Sequence, residues 1–367
     1  MGSLAVGPGR AQIGLAMSNN TPRSVSSELV QSRVVRETPL GFPWETRDPF
    51  LFCVHHEDFY PEGNEQMGPR VSLAGRNLGQ DFTVKDGFRM YHGEVVPGFP
   101  QHPHRGFETI TIARRGFIDH SDSLGAAARF GTGDVQWMTA GKGIVHSEMF
   151  PLVSQTEPNT VELFQIWLNL PGADKMVDPH FRMLWAESLP CVIVDASTSS
   201  TVTVIAGQFA GQAAPSPPPS SWAAKPEADI AIYAIVLGAN ATLALPTLAQ
   251  GVERTLYFFK GSELTVNGQR FQRHAGLEVS PGEQTLTAGE GGAEILVLQG
   301  RPLRERVAQY GPFVMNTQAE LQQAFTDYRR TQFGGWPWPE DAPVHPRTEG
   351  RFARHVDGRV ERPETKA

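Results

Sequence analysis

From about residue 35 onward the chain consists of short apolar runs separated by turn residues. That is the grammar of strands rather than the 3.6-residue period of helices. The stretch 71–98, "VSLAGRNLGQDFTVKDGFRMYHGEVVPG", reads as strands and turns, with Asp86-Gly87 and His92-Gly93 as punctuation. "FETITIARRG" (107–116) predicts a strand, "SDSLG" and "FGTGD" predict turns, and "VQWMTAG" predicts a further strand. "VELFQIWLNLP" is a strongly apolar strand stopped by Pro171, and a charged, proline-bearing connector, 171–184, follows it.

The second half repeats this grammar. Laying "GVERTLYFFKGSELTVNGQRF" on "HRGFETITIARRGFIDHSDSLG" puts Glu108 on Glu253 and Gly116 on Gly261. In the same overlay "SPGEQTLTAG" echoes "GTGDVQWMTAG". Two copies of one strand-turn-strand unit predict an all-β protein of two related barrels in tandem. Between the copies, the Pro/Ser/Ala segment 211–227 reads as an exposed linker. One helix stands out: in "NTQAELQQAFTDYRR", Thr317 is an N-cap with Glu320 three residues on, a capping box. Leu321, Ala324, Phe325 and Tyr328 then share a face that packs on a barrel. Residues 1–34 read as a disordered extension and 336–367 as a tail.

Composition narrows the function class. The net charge of −7 and the lack of a basic tract argue against direct nucleic-acid binding. No apolar run is long enough to span a bilayer. Two cysteines, Cys53 and Cys191, make no disulfide framework and fit a reducing compartment, cytoplasmic or nuclear. The extension lacks acidic residues before Glu28 and carries Arg10 and Arg23, which leaves organelle import open.

The chemistry lies in "GFPQHPHRGFETITIARRG" (98–116) and "GKGIVHSEMF" (141–150). Side chains at i and i+2 of a strand point to the same face. His102 and His104 therefore both point into a barrel, and so do His146 and Glu148. Three imidazoles and one carboxylate suit a divalent first-row metal with open positions, Fe(II) before Mn, Co, Ni or Cu. One His-x-His pair alone reads first as ordinary surface or hydrogen-bonded histidines. Distribution separates the two readings: seven of the 11 histidines fall between residues 55 and 146, whereas beyond the connector 171–184 the second barrel region holds only His274. In the overlay, Thr247 and Ala249 stand where His102 and His104 do. One barrel is equipped for metal and its copy is stripped, which predicts one metal per chain.

"HPHRGFETITIARRG" followed by "GDVQWMTAGKGIVHSEM" resembles the signature of the pirin family, a branch of the cupin superfamily. "FQIWLNLP" and the segment from Arg301 to Trp338 resemble pirin sequences as well. The resemblance covers about residues 35 to 335. It implies a bicupin: a metal-binding cupin (jelly-roll) barrel over 35–170, and a metal-free one with the helix over 171–335. It implies one mononuclear iron held by His102, His104, His146 and Glu148. It also implies that Glu108, the acid position of the first cupin motif, supports rather than ligates; Arg105 and Glu108 are expected to pair and hold the histidines. Gln165 matches a pirin position facing the pocket. Two functions are compatible with this set. One is a quercetin 2,3-dioxygenase-type enzyme acting on a phenolic or enolisable small molecule, with Glu148 as base. The other is a redox-sensing regulator that engages a protein partner such as a transcription factor. An open pocket beside the metal favours the first and a plugged one the second.

Overall fold

The computed structural model describes residues 32–364, so the reading of the N-terminal extension lies outside the described residues. The architecture is all-β, with a single α-helix among the described residues, Gln318–Thr331. Thr317 Oγ1 accepts from the Glu320 amide and the Glu320 carboxylate answers back to the Thr317 amide, which closes the expected capping box.

Four large sheets form two cupin barrels. In the first, a five-stranded sheet runs in the order His180–Leu184, Asp134–Thr139, Phe107–Arg115, Asn159–Asn169, Phe50–Tyr60. It packs on a six-stranded sheet whose far edge is Gly98–His104, next to Ile144–Met149. In the second, a seven-stranded sheet centred on Glu253–Gly261 and Ala293–Gly300 packs on a four-stranded one. Strands cross the division of the chain: Val34–Pro39 pairs with Ala275–Val279 of the second barrel, and His180–Leu184 pairs with Asp134–Thr139 of the first.

The long apolar strands carry hydrophobic residues on both faces because their sheets are buried on both sides. In Glu253–Gly261, Leu256 and Phe258 enter the second barrel's core, while Tyr257 and Phe259 face the other barrel. In Asn159–Asn169, Phe164, Ile166 and Leu168 meet them across that interface. Leu243, Leu245, Leu264 and Leu286 pack in the second barrel's interior, and among the described residues no group of histidine, cysteine or carboxylate side chains gathers there as it does in the first.

Three expectations are corrected. Residues 71–97 contain no strand; their polar groups bond locally, and only isolated bridges such as Asp81 to Tyr91 form. "SPGEQTLTAG" holds the strand Gln284–Ala288, which lies beside Thr242–Leu245 and so stands where Ile144–Met149 stands in the first barrel, not where "VQWMT" does. Period-2 patterns repeat along the chain, and an overlay slips by one strand without penalty. The linker and tail are docked rather than free. Ser221 is fully buried, and Phe352–Arg354 adds a strand to the first barrel beside Ala127–Gly131. Buried Arg129, paired with Asp119, donates to the carbonyls of His345 and Pro346 and fixes that return.

Ser221 donates to Glu108 Oε2 at 2.5 Å and Thr139 donates to Oε1 at 2.7 Å. Desolvation pushes the buried Glu108 carboxyl up to about 7, against the lowering by these two hydroxyls. The sign follows from proton linkage: the native state holds a proton that the unfolded chain has lost above about 4.5, so stability falls as pH rises from there to about 7. Glu108→Gln mimics the protonated form. It should flatten that decline and gain up to about 3 kcal/mol above pH 7. Urea melts at pH 5 and pH 8 check this; equal pH dependence in both proteins contradicts it.

Candidate metal centre

Gly98–His104 is an edge strand, which is where Pro100 and Pro103 are tolerated. It pairs with Ile144–Met149 in a register that sets His102 opposite His146, after a slip between Phe99 and His102. The ligating nitrogens of His102, His104 and His146 all lie within 4.8 Å of one another. No other such group occurs among the described residues.

Each ring is prepared for a cation. His102 Nδ1 donates to Pro100 O at 2.8 Å and His104 Nδ1 to Pro312 O at 3.4 Å. A carbonyl only accepts, so both rings carry their proton on Nδ1 and leave Nε2 with a free lone pair. His146 is fully buried, and neither of its nitrogens has a hydrogen-bond partner. An orphaned buried imidazole is costly unless something satisfies it, and a divalent metal fits that need. Desolvation lowers the pKa of His102 to about 4 and holds His104 and His146 well below their usual range. The neutral imidazole is the form a metal requires.

Glu148 stands beside the trio, with Oε2 3.8 Å from His146 Nε2. Thr111 Oγ1 lies 2.9 Å from Oε1, and Gln165 Nε2 donates to Oε2 at 3.1 Å. Desolvation raises the Glu148 pKa, and these two contacts oppose the rise. Val54, Gln165 and Thr111 are register partners on three adjacent strands and therefore share one face.

That face opens on a cavity of about 360 Å³. His102, His104 and Glu148 sit in its wall, and Phe42, Phe52, Phe82, Phe99, Phe150 and Trp167 supply most of the rest. The size falls within the range of small-molecule sites.

Two expected roles fail. Arg105 and Glu108 do not pair. Arg105 donates from Nε to Lys142 O at 2.6 Å and from Nη1 to Asp327 of the helix at 2.9 Å, with its guanidinium over the Phe333 ring. It clamps the C-terminal helix to the first barrel. Glu108 has the parity of Ile110 and Ile112, which face the second barrel, so it points away from the cavity side of Thr109 and Thr111. Sequence reasoning also missed Thr111, His56 and Pro312. The period-2 pattern places Thr111 opposite Ile110 and Ile112, a signal that was readable. Nothing local marks Pro312, which reaches His104 from 208 residues away.

Comparison with known proteins agrees with this architecture. The Pirin family model matches residues 40–168, and the Pirin C-terminal cupin domain model matches residues 232–334. A Pseudomonas aeruginosa protein named as a candidate quercetin 2,3-dioxygenase is 41% identical over 242 residues, 64% of this chain and 80% of its own. Pirin from Rattus norvegicus is 33% identical over 295 residues, 74% of this chain and 90% of its own. The crystal structure of a quercetin 2,3-dioxygenase from Acinetobacter baumannii superposes with a TM-score of 0.65 at 27% identity, covering 83% of this chain and 99% of that one. With both family models matched in order over most of the sequence, this chain belongs to the pirin family of cupins.

Proposed function

We propose that this protein is a metal-dependent dioxygenase of the quercetin 2,3-dioxygenase type, acting on a flavonol-like or other enolisable aromatic substrate. The observation that carries the reading is the open, aromatic-walled cavity beside the histidine trio. A redox sensor needs no such space. The names of the similar Pseudomonas and Acinetobacter proteins support the same reaction class.

His102, His104, His146 and Glu148 would hold the metal, Fe(II) in the first place. When bound, it would acidify an enolic or phenolic hydroxyl and bring dioxygen to the substrate. The chain's own groups do the rest. The Glu148 carboxylate accepts the hydroxyl proton. Thr111 and Gln165 keep that carboxylate aimed at the cavity. The aromatic walls stack flat rings and exclude water.

Anaerobic Fe(II) loading followed by aerobic incubation with a panel of flavonols tests the reading. Oxygen uptake matched to flavonol loss, abolished by a chelator, is expected. No turnover of any enolisable compound by fully loaded protein would sink it. Elemental analysis should find one metal per chain, since the second barrel is filled with leucine; a value near two contradicts the assignment.

A further inference from the structure

At the end of the cavity reached through Phe99, a second polar group is set into the aromatic wall. Phe99 touches both this group and the trio: its ring centroid lies 6.3 Å from that of His102 and 6.1 Å from that of His56. His56 is the register partner of Leu163, two residues along from Val54, and so shares the cavity face.

The protonation of His56 follows from a chain of donors behind it. Asp58 takes a fork from Arg89, with Nε to Oδ1 and Nη2 to Oδ2 both at 3.0 Å, and the Arg89 amide adds a third bond at 2.8 Å. A carboxylate held by a guanidinium only accepts, so the Tyr91 hydroxyl, 2.5 Å from Oδ2, must donate to it. Its single proton spent, Tyr91 Oη can only accept from His56 Nδ1 at 2.7 Å. His56 is therefore the Nδ1–H tautomer, with an unprotonated Nε2. Among the described residues no protein group bonds to that nitrogen, and His56 lines the cavity wall.

We infer that His56 is a substrate-positioning residue: its Nε2 accepts a hydrogen bond from a hydroxyl at the end of an aromatic substrate remote from the metal. The inference rests on the proposed dioxygenase reading and narrows it to aromatic substrates with a hydroxyl at each end. Nothing in the metal set demands this relay. Arg89, Asp58 and Tyr91 fix the tautomer without touching the cavity trio, much as an orienting carboxylate does for other histidines. Burial and the nearby Arg89 also lower the His56 pKa to about 3, which keeps the ring neutral and accepting.

Two measurements separate this inference from the reading on which it rests. In the first, quercetin and 3-hydroxyflavone, which lacks the distal hydroxyls, are titrated anaerobically into metal-loaded protein. Quercetin should bind roughly tenfold tighter, the worth of one good hydrogen bond. His56→Phe should erase that preference. A preference that persists in the variant overturns the inference. In the second, ¹⁵N NMR of the histidine rings reads the tautomer without any ligand. His56 should be protonated at Nδ1 in the parent, and that fixed tautomer should be lost in Tyr91→Phe. An Nε2–H ring in the parent overturns the inference even if flavonols are turned over. If neither flavonoid binds while NMR shows the fixed tautomer, the flavonol reading fails and the acceptor site stands.

Discussion

His146→Ala is expected to strip the protein of metal, whereas Glu148→Gln is expected to leave metal in place and stop the chemistry. His146 is fully buried, opposite His102 in the strand register, and both its nitrogens lack a protein partner. Metal affinity should fall by more than the 10–100-fold typical of losing a residue that only supports a ligand. Glu148→Gln keeps an oxygen that can face the cation and keeps the size of the side chain. The amide cannot accept a proton as a carboxylate does. Turnover at saturating iron should fall by about 10²–10⁴, the usual contribution of a positioned base. Iron content and kcat measured on the same preparations decide the matter. Equal metal loss in both variants, or full activity of iron-loaded Glu148→Gln, would remove Glu148 from the base role.

A fragment ending at Leu170 should come out insoluble or metal-poor. It uncovers Ile110, Ile112, Trp137, Phe164, Ile166 and Leu168, all now packed against the second barrel side. At about 1.5–3 kcal/mol for each large side chain, the lost burial is on the order of 10 kcal/mol. That is comparable to the whole stability of a typical domain, and an exposed apolar face of this size aggregates. The cut also removes Pro312, which orients His104, and Asp327, which holds Arg105. The check is gel filtration with iron analysis of a fragment spanning residues 35–170. A soluble monomer with one iron and full activity would show that the second barrel is dispensable.

What was legible in the sequence was whatever local periodicity controls. Strand parity brought His102, His104 and His146 to one face without any knowledge of the barrel, and the capping box at Thr317 was a four-residue signal. The pairing of Arg105 with Glu108 was misread because adjacency in sequence says nothing about face. Parity sends Glu108 to the inter-barrel side, and long-range partners claim both residues: Asp327 lies 222 positions from Arg105, and Ser221 lies 113 from Glu108. The tail was misread for a related reason. Segment 336–364 has no periodicity because long-range bonds dock it rather than an apolar stripe: the His345 and Pro346 carbonyls accept from Arg129, Trp338 donates to the Asp122 carbonyl, and Phe352–Arg354 pairs with Ala127–Gly131.

The exchange of strands between the barrels orders the birth of the protein in time. Val34–Pro39 leaves the ribosome long before its partner, Ala275–Val279, has been made. At roughly 5–20 residues per second that wait is on the order of ten to fifty seconds. The first barrel closes only after the second has been made, because its strand Phe352–Arg354 follows the whole of the second barrel in the chain. The carbonyl that orients His104 belongs to residue 312. Orientation of the His104 ring therefore waits until the chain has been made as far as the second barrel.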